Sequence, residues 1–141
     1  MRRLIFIAGL CVVNVAQAAS WVHLDIPNTD DKYYYDKSKL VIDGEQITYW
    51  KKAIFKPQRS VKNQLATSGL MRERIDCHEH TLRLLSFLYH DAKGVVIEYV
   101  PEAEKEGVPI IPETVGDWFE QTLCGKLRPP SDRDTLPSRT L

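Results

Sequence analysis

The positions of three cysteines constrain the fold of this chain more than any other feature of its sequence. Cys11 lies in a segment with the layout of a secretory signal peptide, because two arginines precede an apolar stretch that ends at the small-residue triplet 16–18. Residues 1–18 are therefore predicted to be cleaved on export. Cys77 and Cys124 would then be the two cysteines left, and an oxidising compartment favours a disulfide between them.

Hydrophobic alternation with a period of two predicts β-strands through most of the chain up to about residue 100. Turn signals separate the strands, such as Asp43-Gly44 and the segment 91–94, and they favour hairpins. We therefore predict an α+β fold built on an antiparallel β-meander of about six strands. Residues 57–68 interrupt the alternation, and we expect them to form a mobile loop.

One helix is predicted near the C-terminus. Thr114 can cap its start with an acidic residue three positions on, and Gly125 directly after Cys124 is a natural end. The disulfide would tie this helix to one face of the sheet. Residues 19–125 are accordingly predicted to form one domain, and the proline-rich, charged residues 126–141 a disordered tail.

The charge balance argues against a nucleic-acid partner. Lysine and arginine together number 19, as do aspartate and glutamate, and loss of two leader arginines leaves a net charge of about −2. That balance lacks the basic excess that binding to a phosphate backbone requires. The apolar stretch of the leader is shorter than the roughly 20 residues that span a bilayer. No later segment approaches that length, so no stable membrane span is predicted.

The run Asp-Cys-His-Glu-His at 76–80 contains the residue types of a metal centre. His78 and His80, with His90 as a third ligand, would be the donors of a zinc site. Cys77 is better used in the disulfide, however, and a polar hairpin turn is the simpler interpretation. The sequence also has no nucleophile elbow and no glycine-rich phosphate loop. We therefore predict that the protein is not an enzyme and has neither a cofactor nor a metal site.

Exposed aromatic and basic side chains are the candidates for binding another protein. Three consecutive tyrosines cannot all face inward on a strand, and tyrosine is enriched at protein interfaces, so Tyr33 and Tyr35 are candidate contacts beside the alternative of core packing. Arg59 and Lys62 in the expected loop are candidate contacts too. The three tryptophans are predicted to lie in the core: Trp21, Trp50 and Trp118.

Several short motifs occur in the order and spacing of the bacterial surface-adhesin protein E family. They are Ser20-Trp21-Val22, Tyr34-Tyr35-Asp36, Trp50, Ile75-Asp76-Cys77, the turn at 91–94, Pro112-Glu113-Thr114-Val115 and Cys124. The chain resembles that family from Trp21 to Cys124. The resemblance implies an antiparallel sheet whose C-terminal helix is held on one face by a disulfide, in agreement with the prediction from the residues.

The resemblance also implies a binding function in the bacterial envelope. We expect a non-enzymatic, adhesin-like domain that is exported to the periplasm or the outer membrane and binds a host surface, matrix or envelope protein. A homodimer is a further implication of the resemblance. The alternative is a periplasmic inhibitor or an accessory protein of envelope assembly, since small disulfide-bonded β domains also serve those roles.

Overall fold

The structure is a computed structural model that describes residues 18–127. The predicted signal peptide, apart from its last residue, and residues 128–141 of the predicted tail lie outside the described residues. Eight strands and one α-helix follow in chain order: β1 (Trp21–Leu24), β2 (Lys32–Asp36), β3 (Val41–Asp43), β4 (Gln46–Val61), β5 (Gln64–Asp76), β6 (Thr81–His90), β7 (Val96–Val100), β8 (Val108–Pro109) and α1 (Val115–Cys124). A single 3-10 turn, Lys37–Lys39, lies between β2 and β3.

All eight strands belong to one antiparallel sheet. Six of them lie side by side in the order β1-β2-β4-β5-β6-β7, which confirms the predicted meander. The short strands β3 and β8 extend the sheet by pairing with β4 and β6. Strand β8 lies in a proline-rich segment where the alternation is too short to predict a strand. No helix in the described part of the chain is long and apolar enough to cross a membrane.

The predicted helix packs on one side of the sheet, which we call the inner face. Its start is capped as expected, because the Thr114 hydroxyl oxygen accepts a hydrogen bond from the Asp117 N–H at 3.4 Å. The helix ends at Cys124. Gly125 follows, and only glycine fits there without a shift, since a Cβ would lie 2.8 Å from the Gln121 carbonyl oxygen.

The predicted disulfide between Cys77 and Cys124 is present, with the two Cα atoms 5.7 Å apart. Cys77 lies in the turn after β5, and Cys124 is the last residue of α1. The bond therefore ties the C-terminal end of the helix to the β5–β6 turn. Beyond the helix, Leu127 packs against the core and the Lys126 ammonium lies 5.6 Å from the centre of the Tyr35 ring.

Aromatic side chains fill the space between the inner face and α1. Phe119, which is fully buried, stacks on Tyr49 with ring centroids 5.4 Å apart and meets Tyr33 edge-on at 6.4 Å. Lys51 and Glu73 form a buried ion pair here, and the Tyr49 hydroxyl donates a 2.5 Å hydrogen bond to Glu73. The core comprises Ile26, Tyr33, Tyr35, Ile47, Tyr49, Ala53, Phe55, Ala66, Ile75, Phe119, Leu123 and Cys124.

Residues 57–68 do not form a loop, so that prediction is wrong. They are the outer end of the β4–β5 hairpin, where strand pairing stops after Ile54 and resumes at Arg59. The interruption contains Pro57, which has no N–H to donate to a strand ladder. The chain therefore bulges around the proline and returns to the sheet.

The tip of this hairpin bends over the inner face. Lys62 and Asn63 form the two-residue turn that closes it, with φ angles of 49° and 62°. Positive φ angles at both positions are typical of the hairpin turn whose twist matches that of the flanking strands. The Lys62 ammonium reaches Glu98 on β7 at 3.1 Å, and Ala66 beside the tip is fully buried. The inner face is thus covered by α1 over one part and by the hairpin tip over another.

Candidate binding surface

The opposite side of the sheet, the outer face, is not covered by any helix or strand of residues 18–127. Side chains alternate between the two faces of a strand, so residues next to the buried Tyr49 and Lys51 point outward. The strand register places one outward residue from each main strand in a single row: His23, Tyr34, Lys52, Leu70, Leu88 and Tyr99. All six are at least partly exposed, and Tyr99 is 60% exposed.

Lys52 is held in the middle of the outer face by two aromatic rings. Its ammonium lies 4.6 Å from the centre of the Trp21 ring and 4.9 Å from that of Tyr34. The His23 ring contacts Tyr34 from the other side, with centroids 5.1 Å apart. These contacts fix a positive charge and three ring systems on the part of the face formed by β1, β2 and β4.

Three arginines form a second positive group, on β5 and β6. Arg72 and Arg74 point outward from β5, and Arg83 on β6 lies directly opposite Arg74. The Arg74 Nε donates to the Thr48 hydroxyl at 3.1 Å, and the Arg83 Nε donates to the Glu104 carbonyl oxygen at 3.0 Å. We call Arg72, Arg74 and Arg83 the arginine cluster.

The carboxylates near the arginine cluster accept hydrogen bonds from other groups rather than pairing with the arginines. Asp76, two residues beyond Arg74, accepts hydrogen bonds from the N–H groups of His78 and Glu79 and from Gln46. The Glu79 N–H contributes most, followed by Gln46, and together these bonds hold the pKa of Asp76 below its usual value. The Glu104 carboxylate accepts the Leu84 N–H at 3.0 Å. Among the described residues no carboxylate lies within 4 Å of a charged nitrogen of the arginine cluster or of Lys52.

Tyr33 and Tyr35 do not lie on this surface but pack in the core, which was the alternative stated for them, and their part in binding stays a prediction. They are 7% and 3% exposed because they face α1 on the inner side, and the outward member of the trio is Tyr34. Burial, and then the negative charge of Asp31, raises the pKa of Tyr33. The sequence predicted that the three tyrosines alternate between the two faces of the strand. Which of them point inward depends on which face of the sheet the helix covers.

Arg59 and Lys62 are exposed but lie apart from the arginine cluster, at the β4–β5 hairpin tip. Arg59 pairs with Asp31 at 2.5 Å and lies over the Phe55 ring at 4.3 Å, while Lys62 pairs with Glu98. Both charges already have partners within the chain. Their part in binding stays a prediction.

The histidines of the 76–80 run lie in the β5–β6 turn, as the simpler interpretation predicts. His80 Nδ1 lies 2.6 Å from the Glu120 carboxylate on α1, and His78 is near Glu45 and Glu79. In residues 18–127 no group of three or more histidine, cysteine or carboxylate side chains is placed to hold a metal ion.

The buried ion pair under α1 is closed to a ligand. Glu73 and Lys51 are 3% and 8% exposed, and the Lys51 ammonium lies 5.5 Å from the centre of the Phe119 ring. Burial, and then the charge of Glu73, raises the pKa of Tyr49 well above its usual value. Tyr49 therefore stays protonated and donates its hydrogen bond.

The arginine cluster and the outward tryptophans were missed by sequence reasoning. Trp21 and Trp50 were predicted to be core residues, yet both are only partly buried and face outward. The spacing of Arg72 and Arg74 around a single glutamate was the available signal, since it places both arginines on one face of a strand. The position of Arg83 opposite them depends on the register of two strands.

Comparison with known proteins gives both a family and a fold. The family model described as "Surface-adhesin protein E" matches residues 21–125. A solved structure of Haemophilus influenzae protein E, in crystal form II, is 16% identical with a TM-score of 0.55, over 67% of this chain and 80% of that chain. A second structure of Haemophilus influenzae protein E is 13% identical with a TM-score of 0.55, over 74% of this chain and 84% of that chain. No curated protein sequence matches the chain.

Proposed function

The chain belongs to the surface-adhesin protein E family, and from that premise we propose that it is an exported, non-enzymatic domain that binds another protein through the outer face of its sheet. The observation that carries the proposal is the row of outward residues across all six main strands, which lies on the side of the sheet opposite α1.

The composition of the outer face supports a protein partner. Aromatic residues and arginine are enriched at protein interfaces, and they dominate the energetically important contacts there. The outer face has both, with Trp21, Tyr34 and Trp50 near Lys52 and Arg72. Tyr99 adds a large ring at its far edge. The described helix and strands leave this face of the sheet uncovered, which suits a macromolecule better than a small substrate, since small-molecule sites are concave.

The proposed location is the bacterial envelope, either on the outer surface or in the periplasm. The similar structures are those of Haemophilus influenzae protein E, and membership of the shared family supports an exported, surface-exposed protein here. The full chain with its own leader, expressed in bacteria, can be tested by protease treatment of intact and permeabilised cells. Cleavage in intact cells is expected for an adhesin, and protection until the outer membrane is opened would favour the periplasmic inhibitor or accessory role.

Site-specific photocrosslinking tests the binding surface. A photoreactive phenylalanine analogue is placed at Tyr99 on the outer face or, as the matched control, at Ile111, which is 66% exposed beside the helix start. Cells carrying each full-length variant are irradiated with and without a host matrix extract. We expect a protein crosslink from position 99 and none from position 111, followed by direct binding to the identified protein after purification. Crosslinks from neither position, or only from position 111, would reject the outer face as the binding surface.

A further inference from the structure

We propose that the arginine cluster is a carboxylate-binding site, and that the part of the partner protein that docks there is an acidic, extended segment. This inference rests on the proposed function, because it names the chemistry of the partner at the same surface. It assigns Arg72, Arg74 and Arg83 as residues that contact the partner.

The arrangement of the arginine cluster is unfavourable within the folded chain. Arg74 and Arg83 lie directly opposite each other on neighbouring strands, and like charges in that position destabilise a sheet. Their guanidinium groups donate to a hydroxyl and a backbone carbonyl, which do not neutralise charge. Arg59, the other arginine in residues 18–127, has a carboxylate at 2.5 Å. In that range the three arginines of the cluster have no such pair, and two of them also face each other across the strands.

The spacing of the three arginines matches that of an extended peptide. Arg72 and Arg74 are two residues apart on one strand, so their side chains start about 7 Å apart, and Arg83 starts about 5 Å from Arg74 across the strands. Alternate side chains of an extended peptide repeat at the same spacing of about 7 Å. The planar fork of arginine pairs with a carboxylate through two parallel hydrogen bonds. Alternate glutamates or aspartates of an extended segment would thus meet successive arginines.

The neighbours of the cluster favour a longer segment over a single small anion. Lys52 lies beyond Arg72 on the same face, where Trp21 and Tyr34 hold its ammonium. Trp50 lies directly opposite Arg72 and offers a ring beside the charge. The surface therefore alternates between cations and aromatic rings over several strands, which fits acidic residues interspersed with apolar ones.

The test uses the purified full-length exported chain and two labelled peptides of ten residues. One peptide has glutamate at alternate positions with serine between them, and the other has glutamine in place of glutamate. Fluorescence anisotropy is measured at low and high salt. We expect binding to the glutamate peptide, weaker binding to the glutamine peptide, and a loss of affinity as salt rises, since salt screens exposed charges.

Two variants with the same change in charge separate a site from a general effect. Arg72→Gln/Arg74→Gln removes two charges from the cluster, whereas Lys93→Gln/Lys105→Gln removes two exposed charges from the β6–β7 turn and the loop before β8. The first variant should lower the affinity for the glutamate peptide about fivefold or more, because it removes two exposed ion pairs with the peptide. The second should change it less than twofold. Equal losses would show that only net charge matters and would overturn the site.

Further controls make each outcome informative. Melting curves establish that the variants fold. If the double variant fails to fold, Arg83→Gln alone takes its place with the same readout. A heparin fragment is the third probe, and arginine-dependent binding to heparin without binding to the glutamate peptide would show a polysaccharide site and overturn the proposal.

The failure of this inference can be told from failure of the proposed function. If the protein crosslinked at position 99 binds Arg72→Gln/Arg74→Gln as tightly as the parent, the outer face binds a protein but the arginine cluster does not contact it. If the glutamate peptide binds through the cluster and position 99 gives no crosslink, the carboxylate site stands and the proposed surface function fails.

Discussion

Removal of the Cys77–Cys124 disulfide should cost about 4 kcal/mol of unfolding free energy. The two cysteines are 47 residues apart, and the loss of loop-closure entropy in an unfolded chain cross-linked at that separation gives this value at 25 °C. In the folded state α1 keeps its other attachments, namely the burial of Phe119 and the His80–Glu120 contact. The cost should therefore arise mainly in the unfolded chain, and it corresponds to a fall in melting temperature of roughly 15 °C.

The assay is urea unfolding of Cys77→Ala/Cys124→Ala, followed by tryptophan fluorescence. The midpoint should fall, and the dependence on urea should steepen because the unfolded chain without the cross-link exposes more surface. The parent protein after reduction serves as the control and should unfold like the variant. An unfolding free energy within about 1 kcal/mol of the oxidised parent would refute the reasoning, because it would mean that the cross-link does not constrain the unfolded chain.

Two further predictions concern buried and hydrogen-bonded charges. Glu73→Gln should destabilise the protein by about 3–5 kcal/mol because it leaves Lys51 buried without its counter-charge. Tyr49→Phe/Lys51→Met/Glu73→Leu also removes the buried hydroxyl that donates to Glu73, so it should be near neutral or stabilising in the same urea assay. For Asp36, burial alone would raise the pKa, but hydrogen bonds from Ser38 and Ser20 outweigh it and lower the pKa below its usual value. A lowered pKa adds stability that is present above about pH 4 and is lost as the pH falls through the folded-state pKa. Asp36→Asn should therefore lower the melting temperature at pH 7, and less so at pH 3. An equal fall in melting temperature at both pH values would contradict this assignment.

Features with local signals in the sequence were predicted well. The predicted export of the chain and its cysteine count led to the disulfide between Cys77 and Cys124, which the structure contains. Thr114 predicted the helix start because a hydroxyl at that position satisfies an exposed N–H of the first turn. The Asp43-Gly44 pair predicted a hairpin because glycine readily adopts the positive φ that such a turn needs. The structure has this hairpin, and the φ of Gly44 is 59°.

Features that depend on distant parts of the chain were predicted poorly. The polar residues around Pro57 predicted a loop, whereas a bulge lets β4 continue past the proline, and the closing turn uses Lys62 and Asn63 rather than glycine. The inward direction of Tyr33 depends on Phe119, which lies 86 positions later and covers that side of the sheet. The arginine cluster likewise needs the register of β5 against β6, which no single stretch contains.

The division of β4 between its two faces has an evolutionary consequence. Ile47, Tyr49 and Ala53 are fixed by the packing against the helix side, while Trp50 and Lys52, one position away, are free of that constraint. Under the proposed function, mutation at the second set would change which molecule is recognised at a smaller cost in stability than mutation at the first set, because substitutions of buried core residues are the more destabilising ones. Such a strand lets specificity diversify under selection from hosts or competitors while the scaffold is inherited unchanged.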